Sequence, residues 1–167
     1  MIKVSAPGKI HLLGEHTVVY GKPALLATVD LRVNVILNPS VHLRGEPRTL
    51  PSSHLVTQSG YARGVADLKK VIEPIVKQYL KLKTIPSYQL TISSELPIGA
   101  GLGSSAAVSA AYIAALLSFL KVKWDLNLIN ELTYEAEKVF HGNPSGGDNS
   151  TVVFGGLIWF RKESPDL

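Results

Sequence analysis

The sequence predicts one globular domain that combines β-strands with α-helices, and three observations support this. The N-terminal third contains segments in which polar and apolar residues alternate, as is typical of strands with one buried face. Three later segments, at about 61–81, 104–120 and 126–140, have the apolar spacing or the alanine content of helices. The chain has 167 residues and is 46% hydrophobic, which suits one domain with a substantial core and argues against disorder.

The first strands are expected close to the N-terminus. Ile2–Ala6 and Ile10–Leu13 are predicted as two short strands on either side of a turn at "PGK", and Ala24–Leu37 as a longer strand. The stretch 38–60 is rich in proline, serine and glycine and has no sustained period. We therefore expect a long loop or loose hairpin there, able to act as a mobile flap.

The middle of the chain is predicted to alternate between helix and strand. Segment 61–81 has helical spacing, and Pro74 is expected to bend or split that helix. A strand is expected at Tyr88–Ser94. An alanine-rich helix follows, from about Ser104 to Leu120, and it is apolar enough to be buried.

The last third is predicted as a helix, a loop and a hairpin. Asp125 is a suitable N-cap for a helix from about Leu126 to Phe140. The inward face of that helix is expected to consist of Ile129, Leu132, Ala136 and Val139. The segment "HGNPSGGDNS" is predicted as a loop, and "TVVFGGLIWF" as a strand or hairpin interrupted at Gly155 and Gly156.

Composition restricts the class of partner. A net charge of +4 favours an anionic ligand, but the basic residues are scattered, so nucleic acid is not indicated. The absence of cysteine from the sequence excludes a disulfide framework and a thiolate metal site. The sequence begins without the pattern of a secretory signal, and its longest apolar run, 106–120, is shorter than a membrane span of about 20 residues. We therefore expect a cytoplasmic protein with no membrane partner.

The stretch "GAGLGSSAA", Gly99 to Ala107, lies where a predicted strand gives way to a predicted helix. Glycines let the backbone approach a ligand closely, and the first N–H groups of a helix are unpaired and favour an anion. The spacing matches neither the Walker pattern, which needs a lysine before the serine, nor the Rossmann pattern G-x-G-x-x-G. One interpretation is an anion cradle; the other is a flexible turn whose helix is capped by Ser104 or Ser105.

Glu137 and Asp148 form a candidate carboxylate pair. Glu137 lies on a flank of its predicted helix that can border a cleft, whereas Glu135 lies on a solvated side. Two carboxylates near bound phosphates repel each other unless a cation lies between them, and Mg²⁺ accepts oxygen ligands from carboxylates, serine and phosphates. The alternative is a pair of solvated charges, with Asp148 in an Asx turn.

Lys9, in "PGKIHLLGEH", is a candidate catalytic cation. A lysine at this point could neutralise charge in phosphoryl transfer or lower the pKa of a substrate hydroxyl. The alternative is a packed stem with its ammonium group in water. Glu15 and His16 follow the strand, at a position that can carry binding residues. The five histidines show no ligand-pair spacing that would indicate a histidine metal site: His11, His16, His42, His54 and His141.

Three segments together resemble the motifs of the GHMP kinases: "SAPGKIHLLGEHTVVYGKPAL", "LPIGAGLGSSAAVSAA" and "EKVFHGNPSGGDNS". The ending "GEHTVVYGKPA" is similar to the members that phosphorylate mevalonate rather than galactose, and "HGNPSGGD" indicates the same branch. The resemblance covers 3–156 and leaves only 38–87 without a matching motif. It implies an α+β fold in which a mixed sheet packs against helices, of the kind found in domain 2 of ribosomal protein S5.

The resemblance implies an activity and a set of site residues. ATP, with Mg²⁺, would phosphorylate the primary hydroxyl of mevalonate to 5-phosphomevalonate in isoprenoid biosynthesis. Lys9 would stabilise the alkoxide, Asp148 would orient or deprotonate the hydroxyl, and Ser105 and Glu137 would bind Mg²⁺. The substrate pocket would be formed by Lys9, Glu15, His16 and Asp148. The nucleotide would contact Pro97, Gly99, Ala100, Gly101, Leu102, Gly103, Ser104, Ser105, Ala106 and Ala107.

GHMP kinases also carry a third glycine-rich motif in a C-terminal lobe, and nothing after Phe160 resembles it. We therefore expect residues 1–167 to form the N-terminal, ATP-binding lobe, with low or no turnover in isolation. Its uncovered apolar surface would favour self-association, including a homodimer. The alternatives are a GHMP enzyme acting on phosphomevalonate, diphosphomevalonate, homoserine or galactose, and a non-catalytic nucleotide-binding lobe.

Overall fold

One five-stranded sheet organises the structure, a computed structural model that describes residues 1–40, 56–57, 62–97 and 99–162. The long central strand β2 (Ala24–Pro39) pairs along its length with β1 (Ile2–Leu13). On its other edge, residues 33–39 pair with β4 (Tyr88–Ser94) and residues 24–27 with β5 (Leu157–Phe160). These pairs are antiparallel, and β3 (Val56–Thr57) adds a parallel pair beside β4, so the predicted mixed sheet is confirmed.

β1 is one strand of 12 residues, which corrects the prediction of two short strands around a turn. Pro7 pairs with Arg32 but Gly8 pairs with Val29, so Asp30 and Leu31 form a bulge opposite the Pro7–Gly8 step. Proline cannot donate to the ladder, and here it interrupts the pairing without reversing the chain. Because β1 continues past the bulge, Lys9 reaches a buried position next to Leu102.

Helix α2 (Ser104–Phe119) packs on the sheet, and α1 (Ala62–Leu80) and α3 (Leu126–His141) pack against α2. α1 continues through Pro74 as a single helix, so the expected split does not occur. α2 is the central helix, buried along residues 106–117 and packed against β1, β2 and α3. An alanine-rich helix fits this position because small side chains allow close packing on several sides at once.

α3 begins as the sequence predicts. Asp125 has an extended backbone and its Oδ1 accepts a hydrogen bond of 2.9 Å from the Leu128 N–H, as expected of an N-cap. Ile129, Leu132 and Ala136 are buried, but Val139 is 63% exposed, so its expected inward position is wrong. The helix extends past the region that its neighbours cover, and Val139 lies in the last turn.

The segment after α3 differs most from prediction. Residues 147–154 form a fourth helix, α4 (Gly147–Phe154), where a loop and the start of a strand were expected. Thr151 and Val152 are β-branched, but both are buried, and the Thr151 hydroxyl donates to the Gly147 carbonyl at 2.7 Å. Burial of these two residues in the fold outweighs the preference of β-branched residues for strands. Only the second half of the predicted hairpin is a strand, β5.

Parts of the sequence predictions lie outside the described residues. The loop or flap expected at 38–60 includes 41–55 and 58–60, which the structure does not describe; residues 38 and 39 end β2, and 56 and 57 form β3. Within the described ranges, no helix is long and apolar enough to cross a bilayer.

Candidate active site

A glycine turn connects β4 to α2. Gly99, Gly101 and Gly103 have φ values of 73°, 69° and 66°, a conformation that glycine adopts without the strain other residues incur. The Leu102 carbonyl accepts a hydrogen bond of 2.9 Å from the Lys9 N–H, which fastens the turn to β1. Added Cβ atoms at Gly99 and Gly101 would meet no described atom within 4 Å, so the outer side of the turn is open.

The turn ends at the N-terminus of α2. The N-cap residue is Gly103, and no side chain caps the helix in the described structure. The alternative in which Ser104 or Ser105 caps the helix is therefore wrong. The first backbone hydrogen bond of the helix runs from the Ala107 N–H to the Gly103 carbonyl at 3.0 Å. The N–H groups of residues 104–106 therefore have no acceptor within the helix and remain available to an anion.

The residues expected to contact the nucleotide divide into two groups. Residues 97 and 99–103 belong to the turn, and 104–107 form the first turn of α2. Ala106 and Ala107 are fully buried, so they can act on a ligand only through their backbone.

Lys9 and Asp148 form an ion pair beside this turn, with Nζ and Oδ1 3.1 Å apart. Lys9 is 4% exposed, which excludes the alternative of an ammonium group in water, and its stem packs against Gly103. Asp148 lies in the first turn of α4, where a negative charge is favoured by the helix dipole. The next residue, Asn149, donates to the Asn130 side chain at 2.7 Å and so anchors α4 to α3.

Glu137 and Ser105 form a second pair at the N-terminus of α2. The Ser105 hydroxyl donates to Glu137 Oε2 at 3.4 Å. Glu137 is 2% exposed, and its Oε1 is buried with no partner among the described residues. Burial raises the pKa of Glu137, while His141, 3.5 Å from Oε2, lowers it.

This second pair suits a divalent cation. A hydroxyl oxygen and a carboxylate with one unpartnered buried oxygen are ligands that Mg²⁺ prefers. No group of three or more histidine, aspartate and glutamate side chains within the described ranges could hold a metal ion. Further ligands would therefore have to be phosphate oxygens and water, which is the usual way in which proteins bind Mg²⁺ together with a nucleotide.

The structure brings Lys9, Asp148, Ser105 and Glu137 to the same end of α2. The charges of Asp148 and Lys9 also act on the pKa of Glu137, more weakly than burial and His141, which shows that the two pairs are neighbours. The spacing of Glu137 and Asp148 along the sequence does not predict that they lie close together. They do so because α4 places Asp148 next to Lys9 on β1.

Glu15 and His16 do not join this cluster. Both are exposed in the turn after β1, and in the described part of the chain neither side chain forms a hydrogen bond or an ion pair. Among the described residues, Glu15 is linked to the cluster through its charge, which raises the pKa of His11 less than burial and Lys9 lower it. The substrate role of these two residues stays a prediction.

Two histidines in the cluster were not among the predicted site residues. His11 Nδ1 lies 3.0 Å from Lys9 Nζ, and His141 Nε2 lies 3.2 Å from Ser105 Oγ. Each could have been found from periodicity, since His11 follows Lys9 by two residues on one strand. His141 follows Glu137 by four residues on one helix.

Comparison with known proteins identifies relatives of this chain. Residues 66–156, more than half of the chain, match the GHMP kinases N terminal domain. Mevalonate kinase of Mus musculus is 35% identical over 211 residues, covering 95% of this chain and 53% of the mouse protein. The chain thus spans about half the length of the curated relatives it matches.

Solved structures of mevalonate kinases share the fold. The crystal structure of the Methanococcus jannaschii enzyme superposes with a TM-score of 0.79 at 25% identity, covering 96% of this chain and 53% of that one. The L. major enzyme, crystallised in complex with R-mevalonate, gives a TM-score of 0.73 at 28% identity, covering 96% and 49%. The predicted α+β fold is confirmed by these neighbours.

Proposed function

The chain belongs to the GHMP kinase family through its N-terminal domain, and from that premise we propose that it is the ATP-binding lobe of a mevalonate kinase. The observation that carries the proposal is the pairing of Lys9 with Asp148 and of Ser105 with Glu137 at the open N-terminus of α2. The mevalonate kinases among its relatives support the choice of substrate. ATP and a soluble metabolite as substrates suit a cytoplasmic enzyme.

The residues of this cluster have the chemistry that phosphoryl transfer requires. The unpaired N–H groups of residues 104–106 and the glycine turn would bind phosphate oxygens of ATP. Ser105 and Glu137 would hold Mg²⁺, which neutralises phosphate charge when bound. Phosphoryl transfer also requires groups that orient the acceptor hydroxyl and accept its proton.

Lys9 and Asp148 can orient the hydroxyl and accept its proton. The Asp148 carboxylate is one-third exposed, so a substrate hydroxyl can reach it and donate its proton. The oxygen attacks the γ-phosphorus, the bond to the β–γ bridging oxygen breaks, and ADP leaves with that electron pair. Lys9 lies against Asp148 and stabilises the negative charge on the attacking oxygen. The transition state is loose, so orientation by Asp148 can contribute as much as full deprotonation.

We also propose that a second lobe completes the site. The relatives are about twice as long as this chain, and the open side of the glycine turn faces no described atom of it. Trp159, on β5, is 70% exposed, and Leu157 beside it is also exposed. Exposed apolar surface of this kind is typical of an interface, here with a second lobe or with another copy of the chain.

An ADP-release assay tests the substrate. The full product of the gene is assayed with mevalonate, phosphomevalonate, homoserine and galactose, and the 167-residue chain is assayed beside it. We expect turnover with mevalonate in the full product and much slower turnover in the chain alone. Turnover with another alcohol but not with mevalonate would contradict the substrate proposal. A full rate from the chain alone would contradict the need for a second lobe.

Glu137→Gln separates the functional role of Glu137 from its effect on stability. Because burial raises the pKa of Glu137, the folded state binds its proton more tightly than the unfolded state does. The free energy of unfolding therefore decreases as the pH rises from 4.5 through the raised pKa. At neutral pH the ionised carboxylate destabilises the folded state. Without ligand, Glu137→Gln is expected to raise Tm at pH 7.5, while turnover with Mg-ATP falls about 100-fold or more.

Glu135→Gln is the matched control, because Glu135 lies two residues away with a half-buried side chain that pairs with Lys138. It should change neither Tm nor turnover appreciably. Thermal melts across pH 5 to 8 and steady-state rates give both readouts. A lower Tm together with unchanged turnover in Glu137→Gln would contradict this account of Glu137.

A further inference from the structure

His11 lies beside the Lys9–Asp148 pair, but the proposed function gives it no role. It is nearly buried on β1, two residues after Lys9 and on the same face of the strand. Its Nδ1 is 3.0 Å from Lys9 Nζ, and its Nε2 is 3.9 Å from Asp148 Oδ1. Nε2 is buried and has no hydrogen-bond partner among the described residues.

The contact with Lys9 determines the tautomer of His11. A lysine ammonium group has three N–H donors and no acceptor, so Nδ1 must accept the hydrogen bond. The neutral ring then carries its proton on Nε2. His11 therefore offers an N–H donor 3.9 Å from Asp148 Oδ1, where a short movement of either side chain would complete a hydrogen bond.

The same contact fixes the direction of the Lys9 ammonium group. One N–H points to Asp148 Oδ1 and a second to His11 Nδ1, which leaves one N–H without a partner in the described ranges. With two of three donors fixed, the third has a single direction available. A lysine held only by Asp148 would be free to rotate about that one contact.

We propose that His11 is a positioning residue for phosphoryl transfer, which directs the free N–H of Lys9 to the reacting oxygen and supplies a second donor beside Asp148. This inference rests on the proposed function of the Lys9–Asp148 pair. His11 acts through these two residues and touches no reacting atom itself.

The role requires a neutral ring. Burial, and then the neighbouring charge of Lys9, lower the pKa of His11 below 6.5. The charged groups that face the ring are Lys9 on β1, Asp148 on α4 and Glu15 in the turn after β1, and the two acids only partly offset the lowering. As the pH falls through the lowered pKa, Nδ1 gains a proton and the ring repels Lys9. The acid limb of kcat should therefore lie below pH 6.5.

A spectroscopic test on the 167-residue chain is independent of kinase activity. Long-range ¹H–¹⁵N spectra of its imidazoles are recorded from pH 5 to 8, and His11→Asn identifies the His11 signals by their loss. We expect a neutral Nε2–H tautomer at pH 7 that becomes protonated only below pH 6.5. An Nδ1–H tautomer or a charged ring at pH 7 would overturn the proposal even if the protein is a kinase.

A kinetic test on the full gene product compares two substitutions. In His11→Leu the acceptor is lost, and kcat should fall roughly 10- to 100-fold, as expected for the loss of a hydrogen bond to a charged group, with KM for ATP unchanged. In His11→Asn the side-chain oxygen can replace Nδ1 but cannot titrate, so most of kcat should return and the acid limb should disappear.

The outcomes separate this proposal from the proposed function. If the wild-type protein phosphorylates mevalonate and His11→Leu does so equally fast, the His11 proposal is wrong and the kinase assignment stands. If the wild-type protein phosphorylates none of the alcohols, the kinase assignment fails and the tautomer measurement still decides the position of the His11 proton. If His11→Leu does not fold, the pH profile of His11→Asn decides: an unchanged acid limb would contradict the proposal.

Discussion

Lys9→Met is expected to lower kcat about 100- to 1,000-fold, as the removal of one preorganised donor to a developing oxyanion does in other enzymes. The ammonium group is buried between Asp148 and His11, so no other described cation occupies its position. Methionine retains the length of the stem that packs against Gly103, and the fold should survive. Steady-state kinetics on the full gene product measure the effect.

Lys3→Met is the matched control, because Lys3 lies on the same strand but is exposed. Its kcat should stay within about twofold of wild type, as expected of a surface substitution away from the site.

Asp148→Asn should lower kcat by a similar factor to Lys9→Met. The double substitution should lower kcat by much less than the product of the two single factors, because the residues act as a unit. Full activity in Lys9→Met would mean that the ion pair is structural.

Gly103→Ala is the second substitution with a large expected effect. A Cβ at this position would lie 2.7 Å from Lys9 Cγ and 3.0 Å from Lys9 Cε, and Gly103 has φ +66°. The left-handed conformation alone costs a non-glycine residue about 1 to 2 kcal/mol. The overlap must also displace the lysine stem, so we expect the Lys9 ammonium to move and kcat to fall along with the free energy of unfolding.

Gly155→Ala separates the two contributions, because Gly155 follows the last residue of α4, at the end opposite Asp148. Gly155 has φ +76°, and an added Cβ there meets no described atom within 4 Å. Both variants should lose a similar free energy of unfolding from backbone strain, measured by chemical denaturation. Only Gly103→Ala should also lose kcat through Lys9. Equal kcat values in the two variants would contradict the idea that the glycine turn is shaped to fit the lysine stem.

Local signals in the sequence predicted several elements closely. β4 has the predicted bounds, α2 ends one residue early, and α3 starts at the predicted residue behind its Asp125 cap. These signals depend on residues near each other in the chain, namely alternation, alanine content and capping, so they do not need knowledge of the fold.

The elements that were missed depend on distant contacts. α4 contains β-branched residues that favour a strand, but its burial and its anchor to Asn130 stabilise a helix. The "PGK" segment favours a turn, but pairing with β2 on both sides of the bulge keeps β1 continuous. Neither outcome can be derived from the local sequence alone.

The site was predictable in its members more than in its geometry. Residue chemistry suggested Lys9, Glu137 and Asp148 as candidates, and the resemblance to GHMP kinases supplied their roles. Only the fold shows that two of them pair directly and that the third faces Ser105. His11 was not among the predicted site residues, and the substrate role of Glu15 and His16 stays a prediction, because a turn next to a strand does not by itself fix where its side chains point.

The central claim is that the glycine turn and the N-terminus of α2 receive the phosphates of ATP, and backbone amide shifts test it most directly. The chain is labelled with ¹⁵N-glycine and titrated with a non-hydrolysable ATP analogue and Mg²⁺ at millimolar concentration. The amide signals of Gly99, Gly101 and Gly103 should move most, while Gly21, beyond β1, should stay in place. If the analogue binds and shifts other glycines but leaves these three unchanged, the phosphates bind elsewhere and the account is wrong.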